Sequence, residues 1–134
     1  MSELEIPGDR RYTPEHEWVE RTGPNTVRVG ITDFAQSQLG DVVFVQLPAI
    51  AEEVTAGDAL GEVESTKSVS DIFSPLTAKV VAANVDLDDN PEFVNSSPYA
   101  QGWLVDLEVE DEATLDSALA EMLDAVSYAD IAAG

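Results

Sequence analysis

The 134-residue sequence contains no cysteine, so disulfides, thiol nucleophiles and thiolate metal sites are excluded. Sulfur chemistry can enter this chain only on a cofactor. There is one histidine, His16, which rules out a multi-histidine metal site. Positive charge is scarce: six Lys and Arg stand against 27 Asp and Glu, for a formal net charge of -21. Phosphate backbones are held by clustered Lys and Arg, so nucleic acid is not an expected partner. An anionic membrane surface is disfavoured on the same ground. No apolar run approaches the ~20 residues that span a bilayer. The N-terminus also lacks the basic-then-apolar order of a signal peptide. A cytoplasmic protein with no membrane partner is expected. Its acidity favours solubility and suppresses association, so the expected state is a monomer. Aromatic residues make up only 7%, which leaves Val, Leu, Ile and Ala to fill most of the core.

The length suits one domain. Residues 1–11 are polar, contain Pro7 and Gly8, and read as a flexible leader to a single domain over 12–134. Tyr12 to Glu20 can open a sheet. Gly23-Pro24-Asn25 marks a turn, after which Val27, Val29 and Ile31 alternate with Arg28 and Gly30 as in a half-buried strand. Thr32 or Asp33 can cap a short helix that Gly40 closes. Val42 to Leu47 is nearly all apolar and predicts a strand buried on both faces. Further strands are expected over Ala59–Glu64, Ser70–Phe73, Ala78–Val85 and Trp103–Val109, with a long irregular loop over Asp86–Gly102. Leu115, Leu119, Met122, Leu123 and Val126 share one helical face, which predicts a C-terminal amphipathic helix over about 114–128. Many short strands separated by turns indicate a mainly β sandwich or barrel.

Two lysines occur, Lys67 and Lys79. Lys67 sits in Ser65-Thr66-Lys67-Ser68, which has no apolar residue and lies between two strand-like runs. That placement predicts an exposed hairpin tip. The nearest carboxylates in sequence are Glu64 and Asp71. Small polar neighbours leave the amine open to an acylating enzyme. Residue types alone favour an ordinary solvated lysine over a modified one.

The words around this lysine form a larger pattern. Gly61-Glu62-Val63-Glu64-Ser65-Thr66-Lys67-Ser68 resembles the lipoylation motif of the glycine cleavage system H-protein family. Tyr12-Thr13-Pro14-Glu15-His16-Glu17-Trp18-Val19, Gly30 to Gln36, Leu39 to Val45, Asn95 to Tyr99 and Gly102-Trp103-Leu104 resemble further motifs of that family, in the same order. The resemblance runs from about Tyr12 to the final helix.

The resemblance implies a flattened lipoyl/biotinyl-like barrel-sandwich with the modified lysine on a hairpin. It implies lipoic acid in amide linkage to Lys67, and a carrier that is not itself an enzyme. In the family, the arm takes the aminomethyl group of glycine from glycine decarboxylase (P protein) and delivers it to aminomethyltransferase (T protein). Dihydrolipoyl dehydrogenase (L protein) then reoxidises it. A lipoylating enzyme installs the arm. Relay of lipoyl groups to other lipoyl enzymes is a further family role. Family members fold the loaded arm into a surface cleft. By matching motifs, Glu17, Asp71 and Glu15 are the candidate cleft carboxylates. His16 is read as structural or surface, and Trp18 and Trp103 as core. Two other readings remain: a biotinyl carrier, and an unmodified acidic binding module. Biotin carriers usually flank their lysine with methionine, whereas Thr66 and Ser68 flank Lys67.

Overall fold

The computed structural model describes residues 5–133. Among them, nine strands form two antiparallel sheets. In chain order the elements are β1 (Arg11–Tyr12), β2 (Glu17–Arg21), β3 (Thr26–Ile31), α1 (Asp33–Leu39), β4 (Val42–Gln46), β5 (Glu53–Val54), β6 (Ala59–Ser65), β7 (Val69–Phe73) and β8 (Ala78–Ala83). A 3-10 turn (Val85–Asp88), α2 (Phe93–Ser96), β9 (Val105–Glu108), α3 (Glu112–Glu121) and α4 (Ala125–Ala133) follow. The larger sheet has the order β1-β2-β3-β9-β8-β5, and the smaller one β4-β6-β7.

Alternating side chains build the core. Val27 and Val29 of β3, Val63 of β6, Val80 of β8 and Val105 and Leu107 of β9 are fully buried in one apolar cluster that draws on both sheets. Each such side chain contributes about 1.5–3 kcal/mol relative to exposure. The result is the sandwich form of the expected mainly β fold: two open sheets over one core, with no closed barrel among the described residues. A second cluster holds Tyr12, Trp18 and Tyr128, with Trp103 and Tyr99 packed against it. Both tryptophans therefore serve packing, and the Arg28 guanidinium lies 3.9 Å above the Trp103 ring. No helix among the described residues is long and apolar enough to cross a membrane.

The short helix forms as its ends predict. The Thr32 hydroxyl accepts the Ala35 N–H at 3.2 Å. Gly40, at φ +83°, closes the helix and donates to the Gln36 carbonyl at 3.1 Å.

Four expectations need correction. β4 is not buried on both faces: Val43 and Phe44 are 52% and 51% exposed. It lies at the edge of the small sheet, and a bulge between Val42 and Phe44 turns consecutive residues outward. The segment 86–102 is not wholly irregular, because it holds most of the 3-10 turn and all of α2. The strand expected from Trp103 begins at Val105. The single helix over 114–128 is two helices. Leu123 exchanges both backbone hydrogen bonds with Tyr12, at 2.8 and 2.9 Å, which takes its amide and carbonyl out of any helix. Met122 is extended there. α4 restarts with Asp124 accepting the Ser127 N–H, so Val126 of the predicted stripe is 76% exposed and Tyr128 is buried instead. Of the expected leader, residues 1–4 lie outside the described residues. Within the rest, the Glu5 N–H donates to Asp33, the Tyr99 hydroxyl donates to the Glu5 carbonyl, and Arg11 is already in β1.

Candidate functional site

The β6–β7 hairpin carries Lys67. Glu64 pairs with Val69, Val63 with Ser70 and Glu62 with Asp71. The register leaves Thr66, Lys67 and Ser68 as the loop beyond Ser65. Ser65 organises that loop from a buried position. Its hydroxyl donates to the Ser68 carbonyl at 3.1 Å and accepts the Lys67 and Ser68 amides at 3.3 and 3.1 Å. Its backbone N–H reaches the same Ser68 carbonyl at 2.8 Å, and the Thr66 N–H donates to the Asp41 carbonyl at 3.0 Å. The loop backbone is thus held on both sides.

The Lys67 side chain is exposed and makes no ion pair among the described residues. Its stem passes over the end of α1, with Cε 3.8 Å from where a Cβ on Gly40 would sit. Lys79 has a different setting. It faces Glu53 on β5 and Glu108 on β9 across the ladder.

A cleft of about 320 Å³ starts at the root of the Lys67 loop. Glu15 and His16 wall it from the turn before β2, Phe34 and Gln38 from α1, and Val69 and Asp71 from β7. Two of the three carboxylates expected from the sequence therefore share this cleft with the lysine loop. Asn95 secures the same corner: it accepts the Val42 N–H at 2.8 Å and donates to the Gly40 carbonyl and the Gln36 side chain at 2.9 and 3.0 Å.

Glu17 is not among the lining residues and lies behind the wall they form. It is 2% exposed. One carboxylate oxygen accepts the Phe73 N–H of β7 at 2.8 Å, and the other accepts the Thr13 hydroxyl at 3.3 Å. Burial pushes its carboxyl from 4.5 up to about 7, against the pull of these bonds. Glu17 clamps β2 to the base of the hairpin. Nothing in the local sequence signals this, because its burial depends on where β7 passes.

His16 stands in the cleft wall with φ +71°. Its Nδ1 lies 2.8 Å from the Tyr128 hydroxyl of α4, and its ring packs 4.7 Å from Phe34. Burial lowers its proton affinity, and Glu15 raises it by a smaller amount. Ser65 and Tyr128 are the residues that sequence reasoning missed. Ser65 read only as a small polar neighbour, and Tyr128 only as the end of a helix.

Taken together, the site is a stiff loop presenting one accessible amine beside a half-apolar cleft with two carboxylates.

Comparison with known proteins agrees with this geometry. Residues 10–130 match the family described as Glycine cleavage H-protein. The glycine cleavage system H protein of Mycobacteroides abscessus is 68% identical over 126 residues, covering 94% of this chain and 96% of that protein. That of Mycolicibacterium smegmatis is 68% identical over 124 residues, covering 92% and 94%. The crystal structure of a glycine cleavage system H protein from Mycobacterium marinum superposes with a TM-score of 0.82 at 43% identity, covering 93% of this chain and 97% of that one. The chain belongs to the glycine cleavage H-protein family, the lipoyl carriers of the glycine cleavage system.

Proposed function

We propose that Lys67 is the lipoyl attachment residue and that the adjoining cleft receives the arm between visits to the partner enzymes. One observation carries this reading. Lys67 is an exposed amine, without an ion pair among the described residues, on a loop whose backbone Ser65 fixes, and that loop opens directly onto the cleft. The lipoylating enzyme transfers the lipoyl acyl group from an activated carrier to the neutral Nζ amine: the amide C–N bond replaces the acyl–carrier bond, the carrier departs, and the side chain ends without its charge. Lys79 stands instead in a strand, opposite Glu53 of β5 and Glu108 of β9. A lipoyl group supplies the dithiolane chemistry that a chain without cysteine lacks.

The protein's own contribution is a rigid mount and a shelter. The Ser65 bonds keep the loop still, so motion is confined to the side chain. Tethering raises the local concentration of the arm at each docked partner. Ile31, Leu39 and Ile72 give the cleft an apolar floor that excludes water. Glu15 and Asp71 at its wall favour an amine cargo in its cationic form. Glu17 acts beneath them as a support. Catalysis belongs to the glycine decarboxylase, the aminomethyltransferase and the dihydrolipoyl dehydrogenase.

Lys67→Arg tests the reading. It keeps the charge and the fold, and is expected to abolish both lipoylation and glycine cleavage. Lys79→Arg is expected to leave both intact. Full activity in Lys67→Arg would contradict the proposal.

A further inference from the structure

We propose that Tyr128 of the C-terminal helix is a positioning residue that holds His16 neutral and turns its Nε2–H into the cleft, as a hydrogen-bond donor to the docked arm. This rests on the reading of the cleft given above. The argument follows the protons through a buried chain of three groups.

The Ala35 N–H donates to the Thr32 hydroxyl oxygen at 3.2 Å. Thr32 is fully buried, so its own proton needs an acceptor. Among the described residues the side-chain partner available is the Tyr128 hydroxyl, 2.7 Å away. Once Tyr128 accepts that proton, its own proton is directed at its other neighbour, His16 Nδ1, at 2.8 Å. Nδ1 must then carry a lone pair. The imidazole is neutral and its proton sits on Nε2.

Nε2 has no partner among the described residues and is not one of the buried unpaired atoms, so it is accessible, on a side chain that lines the cleft. A proton added at Nδ1 would reverse the chain. The Tyr128 proton would turn to Thr32, and the buried Thr32 hydroxyl would lose its acceptor. That penalty adds to burial, which already lowers the proton affinity of His16.

The parts around this chain are rigid. Tyr128 stacks on Tyr12 at 4.8 Å between ring centres. The His16 ring meets Tyr128 edge-on. The His16 carbonyl accepts the Thr32 N–H at 3.0 Å, and its own N–H donates to Thr13. The charged and titratable groups facing His16 are Glu15 on its own turn, Asp71 on β7 across the cleft, and Tyr128 on α4 with Tyr12 behind it. Asp33 of α1 is occupied by the Glu5 amide and the Gln36 side chain. A neutral donor suits such a cleft. An imidazolium there would compete with a cationic amine for Glu15 and Asp71.

The chain has one histidine, so its imidazole signals are unambiguous. Two-bond proton–nitrogen correlation spectra of the full-length protein are expected to show a bare Nδ1 and a protonated Nε2 at neutral pH, titrating below the ~6.5 of a free histidine. Tyr128→Phe keeps the ring and its stack and removes only the hydroxyl. Losing a hydrogen bond of about 1 kcal/mol changes the proton affinity about fivefold, which moves the midpoint up by about 0.7 in pH and mixes the tautomers. An Nδ1–H tautomer in the wild type would overturn the proposal, even if the variant fails to fold. So would an unchanged titration in folded Tyr128→Phe. The same spectra, recorded with a backbone amide map on protein lipoylated at Lys67, separate this inference from the reading of the cleft. Shifts at both Asp71 and His16 Nε2 support it. A shift at Asp71 without one at Nε2 overturns the donor role. No shift at either overturns the docking of the arm, while the tautomer result still decides the role of Tyr128 in holding His16 neutral.

Discussion

Glu17 holds a carboxyl group almost out of water, and its bonds to Phe73 and Thr13 do not fully offset the loss of hydration. Its folded proton affinity, at about 7, exceeds the ordinary 4.5. The native state therefore binds more protons than the unfolded chain between these values. Its contribution is fully present below about pH 4.5, falls as pH rises through 7, and is flat above that. Glu17→Gln keeps an acceptor for the Phe73 amide without the charge. Denaturation by urea is expected to show the variant more stable than wild type at pH 8, by on the order of 1 kcal/mol, and nearly equal at pH 5. Ser65→Ala removes three hydrogen bonds from the lysine loop. It is expected to cost about 1–2 kcal/mol and to slow lipoylation of Lys67, measured by intact mass over time, while the far-ultraviolet spectrum stays unchanged. The hairpin tip that bears Lys67 is legible in the sequence because small polar residues interrupt two strand-like runs, whereas an attachment role for Lys67 is implied only by the family resemblance. The roles of Ser65 and Glu17 are not legible there. The hydroxyl acts through a loop geometry that composition does not encode, and the carboxyl is buried by a strand more than fifty residues away.

At the scale of elements, the strands were legible wherever one face is wet, as in β3 and β9. The period-2 pattern then reports burial directly. It failed for β4, whose apolar run reflects an outward bulge at a sheet edge. It failed again at the C-terminus, where the backbone of Leu123 pairs with Tyr12 and overrides a plausible helical stripe. Gly61 shows what the small sheet tolerates. A Cβ there would run into the Gln46 backbone carbonyl of the neighbouring strand. Gly61→Ala is expected to force β4 away from β6 and to destabilise the fold by about 1–3 kcal/mol in chemical denaturation. The loop that carries Lys67 would loosen with it, because Thr66 is tied to Asp41 at the start of β4.

For the whole molecule, two sheets share one core, and the second aromatic cluster fastens α4 to the same end as the cleft. The sheet order β1-β2-β3-β9-β8-β5 was beyond the sequence, since pairing partners far apart leave no local trace. The net charge of -21 was legible, and it gives partners with basic docking faces a favourable approach. None of this architecture has a purpose in glycine cleavage unless one amine carries the arm. The most direct test is the intact mass of the protein made with an active lipoylating enzyme, followed by fragmentation to localise the adduct. A single lipoyl increment on Lys67 is the expected result, absent from Lys67→Arg and retained in Lys79→Arg. An adduct on Lys79, or none in the presence of a competent lipoylating enzyme, would contradict the account.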